Sequence, residues 1–396
     1  MVSLIICVLV AVFSLFDGCE DGEPLLTNRF ESDGSSAEWE LNRHCQAKDG
    51  LLMVARESPA MATYLHPTAL GERSTVARFV PQSDDLVFGL LFDDFERMGF
   101  GTLAEVNLRN GTMRLASWDG TLIDGRDKEG QLRVALTRKL VMGDSYYLKL
   151  EKKFGLNRLI LMDRNFLPMA VLECEQGDSD CFTGRQWGRF GVFCSKGEVC
   201  VEEFNVSIPS KRPAYLIVGD SNVEGPKILG KDYSGSWAYL LKKYVGDSSI
   251  SIAGRGGDES ANVLNRLAVE IALVKPKSVV FAIGTNDTNH GVWRNNMAKA
   301  IAFAVQNGAV PILCTLLPRT GHEHKTMLCN SDIRSKYFGD YLFIDLSIPV
   351  SKDGRGIDWD EKFDSGDHVH ASLEGMQAIF DYLCKHHAEM FGTIDR

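Results

Sequence analysis

The feature that most limits the fold of this chain is a change in its pattern of apolar runs, which falls at residues 208–213. Before this point, short apolar segments recur about every ten residues, separated by turns rich in Gly, Asp and Asn. Short strands at such spacing, with alternating polar and apolar positions, are typical of an antiparallel β-sandwich or jelly roll. We therefore predict an all-β domain over residues 25–207. Its clearest strands are residues 87–93, 103–108, 112–117, 132–136, 146–151, 157–163, 168–174, 190–194 and 199–204.

Residues 208–213 form the predicted linker, which contains two prolines and the basic pair Lys211-Arg212. Beyond it, strand-like runs alternate with helix-like stretches, a pattern typical of a parallel sheet with helices on both faces. Residues 214–396 are therefore predicted to fold as a three-layer α/β/α sandwich. The strands are expected at residues 215–218, 249–252, 278–283, 310–316 and 341–346, and the helices at residues 236–244, 259–274, 293–306, 331–338 and 372–391.

The composition argues against a nucleic-acid partner. The chain has 396 residues and a formal net charge of -10 at pH 7, whereas proteins that bind phosphate backbones cluster Lys and Arg on a basic surface. Its hydrophobic content of 44% is sufficient for the cores of two or three domains. We therefore expect a globular protein that does not bind DNA or RNA.

The first residues predict export. Residues 1–16 are apolar, about as long as a signal-peptide core and too short to cross a bilayer, so residues 1–22 are assigned to a signal peptide or lipoprotein signal. The run lacks a basic n-region, which leaves a misassigned start or a buried N-terminal strand as alternatives. A lipid anchor at Cys19 stays open. We expect a secreted, periplasmic or cell-surface protein without a membrane span.

The ten cysteines leave the disulfide pairing open. Three pairs are spaced to close short loops, namely Cys174 with Cys181, Cys194 with Cys200, and Cys314 with Cys329. The residues between Cys194 and Cys200 resemble a hairpin turn, while the alternative for all these residues is a set of buried free thiols. Because no Cys-x-x-Cys pair occurs, we expect no metal site and no cofactor.

A buried strand followed by small polar residues marks the candidate site. The apolar run of residues 215–218 ends in Gly219-Asp220-Ser221, which places Ser221 at the carboxyl end of the first parallel strand, with Gly219 and Asp220 in support. In open α/β sheets ligands bind at this edge. Each of three later loops is consistent with an ordinary turn or helix cap, but together at one edge they predict an active site. These loops are residues 253–260, 284–287 and 364–372.

The residue types in these loops fit ester hydrolysis by a serine nucleophile. Such a reaction needs a base within hydrogen-bond reach of the hydroxyl, a group that orients the base, and donors for the oxyanion. His370 is the candidate base for Ser221, and Asp367, three residues earlier, is the candidate partner of the base. The amides of Ser221 and of a loop glycine, with the side chain of Asn286, are the candidate oxyanion donors.

The order and spacing of these motifs resemble those of the SGNH, or GDSL-type, hydrolases. The matching blocks are Gly219-Asp220-Ser221 with Gly225, Gly256-Gly257-Asp258, Gly284-Thr285-Asn286-Asp287, and Asp367-His368-Val369-His370 with Gly375. The resemblance implies a flavodoxin-like domain in which Ser221 is the nucleophile, His370 the base and Asp367 its partner. It also implies that Gly257 and Asn286 are oxyanion donors.

Some positions depart from the pattern of that family or leave a choice open. Asn222 stands where leucine is usual and Ala371 where proline is frequent, and neither change removes a reacting group. Gly254 is an alternative oxyanion glycine, since its loop also resembles the version found in some pectin-deacetylating members. His368 is an alternative base, although the Asp-x-x-His spacing favours His370.

The end of the first domain, residues 187–206, resembles the closing strands of concanavalin-like and laminin-G-like sandwich modules. We therefore predict a two-domain serine esterase that removes acyl groups, acetyl in the first place, from carbohydrate. Its partner is an acylated small molecule or polysaccharide. The alternatives are a lipid or lysophospholipid esterase, which needs an apolar acyl groove, and a carbohydrate-binding or adhesion protein with an inert hydrolase domain. The ester and the oligomeric state stay open.

Overall fold

The computed structural model describes residues 26–31, 39–55, 58–65, 67–92, 101–118, 132–153, 156–175, 188–208, 213–225, 235–246, 248–352, 354 and 356–391. The expected signal segment, residues 1–22, and Cys181 lie outside the described residues. Within the described ranges, no helix is both long enough and apolar enough to cross a membrane.

The described residues before position 209 form an antiparallel β structure, as predicted. Its strands are β1 (Leu26–Asn28), β2 (Trp39–Leu41), β3 (Cys45–Ala47), β4 (Leu51–Ala55), β5 (Ala60–Tyr64), β6 (Arg73–Pro81), β7 (Val87–Phe92), β8 (Gly101–Asn107), β9 (Thr112–Trp118), β10 (Leu132–Ala135), β11 (Tyr146–Lys153), β12 (Leu156–Asp163), β13 (Pro168–Glu175) and β14 (Phe190–Ser207). The main path of paired strands is β10-β9-β8-β7-β14-β6-β11-β12-β13. Strands β1, β4 and β5 also pair with β14, β2 pairs with β5, and β3 with β4.

A cluster of aromatic side chains lies in the core of this domain. The ring of Trp39 meets those of Phe30, Tyr64 and Phe204 edge to face, with centroids 5.2, 5.7 and 4.9 Å apart. All four side chains are less than 9% exposed. Burial of such large apolar surfaces is the main stabilising contribution, at about 25 cal/mol per Å².

Strand β14 corrects one prediction. We expected separate strands at residues 190–194 and 199–204, joined by a hairpin-like turn, but Phe190–Ser207 is a single strand of 18 residues. Its first part pairs with β5 and β7, and its second part pairs with β4 and β6. Gly197, which suggested the turn, has a φ of 80° and follows a shift in register. The chain therefore bends at this point and continues, instead of reversing.

Of the two alternatives left open for these cysteines, the structure has free thiols at Cys194, Cys200, Cys314 and Cys329. Cys194 and Cys200 lie on one continuous strand, where six residues span up to ~20 Å, and a disulfide needs Cα atoms within ~7 Å. Cys314 packs in the core on one face of the parallel sheet and Cys329 in the core on the other face. Burial raises the pKa of the Cys329 thiol to about 12, so this thiol stays protonated.

The described part of the second domain contains five parallel strands in the order β16-β15-β17-β18-β19. These are β15 (Tyr215–Gly219), β16 (Ile250–Gly254), β17 (Ser278–Ala282), β18 (Val310–Cys314) and β19 (Leu342–Ile344). The helices are α1 (Ser221–Glu224), α2 (Trp237–Val245), α3 (Ser260–Val274), α4 (His290–Gln306), α5 (Glu323–Arg334), α6 (Leu373–His386) and α7 (Ala388–Phe391), with a short 3-10 helix at Ile348–Val350.

Helices cover both faces of this sheet, which confirms the predicted three-layer α/β/α architecture. Leu216 and Val218 of β15 pack in the core that contains side chains of α3 and α4. Ile217, between them, packs in the core that contains side chains of α2 and α6. This alternation is what a strand buried on both faces requires, and it leaves the carboxyl ends of the strands at one edge.

The predicted helix at residues 331–338 is wrong in position. Helix α5 instead spans Glu323–Arg334. Its buried face contains polar side chains, among them Lys325 and Asn330, and Asn330 pairs with both the amide and the carbonyl of Leu316 at 2.7 and 3.0 Å. A helix whose inward positions are polar has no apolar periodicity for a sequence pattern to reveal.

Candidate active site

The candidate nucleophile lies in a tight turn at the end of β15. Asp220 caps the short helix α1, and its side chain accepts hydrogen bonds from the amides of Asn222 at 2.9 Å and Thr285 at 3.3 Å. Glycine is required at position 219, directly before Asp220, because a Cβ there would lie 2.2 Å from a side-chain carbon of α1. Burial raises the pKa of the Asp220 carboxyl, and the two amides oppose that rise. The turn leaves Ser221 only 6% exposed.

Two hydrogen bonds join three of the predicted residues. Oγ of Ser221 lies 2.7 Å from Nε2 of His370, and Nδ1 of His370 lies 2.6 Å from Oδ2 of Asp367. Burial raises the pKa of Asp367, but the hydrogen bonds from the His370 imidazole and from the amides of Val369 and His370 outweigh it and hold that pKa well below its usual range. The ionised carboxylate favours a proton on Nδ1, so Nε2 is the nitrogen that accepts the Ser221 hydroxyl.

The second histidine of this loop, His368, has a different partner. Its Nδ1 lies 2.5 Å from Oδ2 of Asp364, and its side chain is 62% exposed. Its φ of 61° is unusual for a residue with a side chain. Of the two histidines considered as bases, the structure thus brings His370 to Ser221. The described residues contain no cluster of three or more His, Cys, Asp or Glu side chains arranged to hold a metal ion.

The loops after β16 and β17 meet beside the serine turn. Nδ2 of Asn286 donates to the main-chain oxygen of Asp258 at 3.0 Å. Asp287, next in the sequence, accepts the amide of Ser260 at 2.9 Å and its hydroxyl at 2.5 Å. These bonds fix the Asn286 amide next to the loop that contains Gly257.

The two candidate glycines of the loop after β16 differ in their surroundings. Gly257 is exposed, with a φ of 82°, and within the described part of the chain its amide has no acceptor. Gly254 is buried at the end of β16 in register with Gly219, and a Cβ on it would lie 2.4 Å from the amide nitrogen of Glu224. Gly254 therefore permits close approach of two backbones, while the amide of Gly257 is open to a ligand.

Two buried cations, to which the sequence motifs assigned no role, hold these loops. Nζ of Lys325 donates to the carbonyl of Gly284 at 2.6 Å. Nη2 of Arg266 donates to the carbonyls of Gly219 at 3.1 Å and Ala253 at 3.0 Å. A signal for Arg266 was present, since it is a cation among the apolar residues of α3 with a glutamate four residues later.

A serine that is hydrogen-bonded to a histidine, which is in turn hydrogen-bonded to an aspartate, is the arrangement that serine hydrolases use on several unrelated folds. Here it lies at the carboxyl edge of a three-layer α/β/α domain. Residues 217–378 match the model of the GDSL-like Lipase/Acylhydrolase family. The second half of the chain thus contains a GDSL-like lipase/acylhydrolase domain, as the sequence motifs predict.

A bacterial esterase is similar to part of the chain. Esterase TesA of Pseudomonas aeruginosa is 35% identical over 106 residues, which are 25% of this chain. The matched part spans 51% of the length of that esterase, so the chain covers about half of it.

Two solved structures are each similar to less than half of the chain. The carbohydrate-binding module CBM66 from Bacillus subtilis is 11% identical, with a TM-score of 0.33, and the match covers 43% of this chain and 94% of that structure. The psychrotrophic esterase EstA from a Pseudoalteromonas species is 17% identical, with a TM-score of 0.37, and the match covers 45% of this chain and 98% of that structure.

Proposed function

We propose that the chain is a serine hydrolase of carboxylic esters, with Ser221 as nucleophile, His370 as general base and acid, and Asp367 as the partner that orients His370. The observation that supports this most directly is the pair of hydrogen bonds, of 2.7 and 2.6 Å, that joins the three side chains. A serine hydroxyl is a weak nucleophile alone and becomes reactive when a positioned base accepts its proton.

The reaction has two halves. In acylation, Oγ of Ser221 attacks the ester carbonyl carbon while Nε2 of His370 takes the hydroxyl proton; the tetrahedral intermediate then collapses as His370 protonates the leaving alcohol and the ester C–O bond breaks. In deacylation, water gives a proton to His370 and attacks the acyl carbon, and the acid leaves as Ser221 regains its proton. Asp367 stays ionised and stabilises the imidazolium.

Three donors are proposed for the oxyanion of the tetrahedral intermediate: the amides of Ser221 and Gly257, and Nδ2 of Asn286. The Asn286 amide has two protons and uses one on the Asp258 oxygen, which leaves the other for a ligand. Gly257 is preferred to Gly254 as the oxyanion glycine because Gly254 is buried at the end of β16, beside Gly219. Gly219 and Asp220 act in support, by permitting and capping the serine turn.

For the substrate, we infer an ester of a short acyl group, acetyl in the first place, on carbohydrate. A long acyl chain needs an apolar groove to leave water. Among the described residues, the large apolar side chains that are exposed lie outside residues 219–225, 254–259, 284–289 and 364–371. The exposed side chains beside Ser221 and His370 are polar: the side chain of Asp367 is 50% exposed and that of His368 is 62% exposed. Such polar surroundings suit an alcohol rich in hydroxyl groups.

The test is turnover of p-nitrophenyl acetate by the wild type and by Ser221→Ala. We expect hydrolysis by the wild type and its loss in the variant, and equal rates in the two would refute the esterase proposal in favour of an inert hydrolase domain. Esters of increasing acyl length, run beside acetylated polysaccharides, test the substrate. A preference for acyl chains of eight or more carbons would indicate that the substrate is a lipid ester and not an ester of carbohydrate.

A further inference from the structure

A segment of the sandwich domain, residues 68–72, lies against the edge of the parallel sheet. Strand β16 is an edge strand, and the amide of Gly71 donates to the carbonyl of Ile252 in its middle at 2.9 Å. Ala69 and Leu70 are each only 1% exposed. The segment thus covers part of an edge whose main-chain groups would otherwise be open to pairing.

Within this segment, the amide of Ala69 donates to a buried carboxylate of the other domain. Oε1 of Glu270, on α3, accepts that amide at 2.8 Å and lies 3.5 Å from the hydroxyl of Thr68. Glu270 has no exposed surface. Both of its oxygens also accept Nη1 of Arg266 at 2.6 Å. A buried carboxylate depends on every such donor, because no water replaces a lost one.

Arg266 continues this path to the candidate site. Its Nε donates to Oδ2 of Asp258 at 3.0 Å, and its Nη2 donates to the carbonyl of Gly219, two residues before the serine. The main-chain oxygen of Asp258 in turn accepts Nδ2 of Asn286. One buried guanidinium therefore contacts the sandwich-bound Glu270, the nucleophile turn and the oxyanion loop.

We propose that Glu270 is a positioning residue for the nucleophile, and that the bond from the Ala69 amide to Glu270 makes the sandwich domain part of the active-site scaffold. This inference rests on the proposed ester hydrolysis. The Ala69 amide fixes Glu270, Glu270 fixes Arg266, and Arg266 fixes Gly219 and Asp258. Displacements of about 1 Å at reacting groups cost ~10²-fold in rate, so a change at Ala69 alters catalysis without touching a reacting residue.

The full-length protein offers a matched control. Glu72 also joins the two domains, through Nζ of Lys242 at 2.9 Å, but Lys242 donates to Ile250, at the end of β16 remote from the site. Glu270→Gln keeps the side-chain shape and places an amide where Arg266 needs an acceptor. Glu72→Gln weakens the contact between the two domains at Lys242, away from the candidate site. We expect Glu270→Gln to lower kcat for p-nitrophenyl acetate at least tenfold with KM within twofold, and Glu72→Gln to leave kcat within twofold.

A second pair of variants lies wholly in the sandwich domain. Ala69→Pro removes the N–H that Glu270 accepts, whereas Ala69→Gly keeps it. We expect a lower kcat in the proline variant than in the glycine variant, and this pair decides the matter if Glu270→Gln does not fold. The inference is overturned if kcat is equal within each pair, or if it merely follows the melting temperature across all four variants.

Amide exchange separates a failure of this inference from a failure of the proposed function. Wild-type turnover that is lost in Ser221→Ala establishes the esterase independently. If the wild type is inactive, hydrogen exchange of residues 219–225 still tests the positioning, since we expect faster exchange there in Glu270→Gln than in Glu72→Gln. Equal exchange in both would overturn the inference whatever the activity.

Discussion

Nδ2 of Asn286 donates to the main-chain oxygen of Asp258 at 3.0 Å, and this bond joins the loops that follow two different strands. It holds the Asn286 amide beside the loop of Gly257, where the second amide proton is left for the proposed oxyanion. We expect Asn286→Ala to lower kcat for p-nitrophenyl acetate by ~10²-fold or more, as the loss of one oxyanion donor does in other hydrolases. Steady-state kinetics measure this.

The control for that substitution lies three residues later. Asn289 caps helix α4, where its side chain accepts the amide of Val292 at 3.0 Å. Asn289→Ala is expected to cost about 1 kcal/mol of stability and to leave kcat within twofold. A similar loss of kcat in both variants would count against the oxyanion role of Asn286.

The two histidines of the last loop are expected to respond differently to the same change. His370→Gln removes the nitrogen that lies 2.7 Å from Oγ of Ser221, and we expect kcat to fall by ~10³-fold or more. His368→Gln affects an exposed side chain paired with Asp364, so kcat should stay within about threefold. Comparable losses would mean that the base has been assigned wrongly.

The lowered pKa of Asp367 predicts that this residue makes a pH-dependent contribution to the free energy of unfolding. Its pKa is lowered in the folded protein, so its ionised form stabilises the fold above the unfolded-state pKa of ~3.9, and this stabilisation is lost as the pH falls through the lower folded-state value. The side chain is half exposed, so the effect should not exceed about 1 kcal/mol.

Urea denaturation of the wild type and of Asp367→Asn between pH 7 and pH 3 measures this contribution. The difference in unfolding free energy should be constant above about pH 5 and should narrow at lower pH. A difference that widened below pH 4 would contradict the assignment.

Gly219 tolerates no side chain because the serine turn approaches it closely. A Cβ would lie 2.2 Å from Val223 and 2.5 Å from the carbonyl oxygen of Ala282. Gly219→Ala should cost about 1–3 kcal/mol and should also lower kcat by displacing Ser221. Gly291→Ala, in the first turn of helix α4, is the matched change. A Cβ there would lie 3.3 Å from Oδ1 of the exposed Asn289 side chain, which a small shift relieves, so stability should change by no more than ~1 kcal/mol in either direction. Thermal denaturation and turnover of both variants test this.

The second domain was predictable because its signals are local. Each strand is a short apolar run, and the loops of Ser221 and Asn286 follow strands directly, so their position at one edge of the sheet follows from strand order. The loop of His370 instead directly precedes helix α6, which begins at Leu373, and in an alternating α/β chain helices begin at that same edge. Helix α5 was misplaced, since Lys325 and Asn330 occupy its buried face. The link between Ala69 and Glu270 was not predictable either, because the two residues are 201 positions apart.

The first domain was predictable only in part. Strands from β7 onward coincide with apolar runs, whereas β1 to β5 are only three to five residues long, too short for a period to be recognised. Strand β6 is longer, but its buried positions include Arg73 and Thr75, which disguise the alternation. Where polar side chains occupy the core, hydrophobic patterning loses its information.

The long strand β14 has a consequence for how the protein is made. It is the last strand of the sandwich, and it pairs with β1, β4, β5, β6 and β7, all earlier in the chain. Pairings of such long sequence separation form slowly, because loop closure must precede the contacts that reward it. During synthesis these earlier strands therefore stay unpaired on that side until their partner residues in β14 have left the ribosome, and unpaired strand edges expose the nascent chain to aggregation in that period.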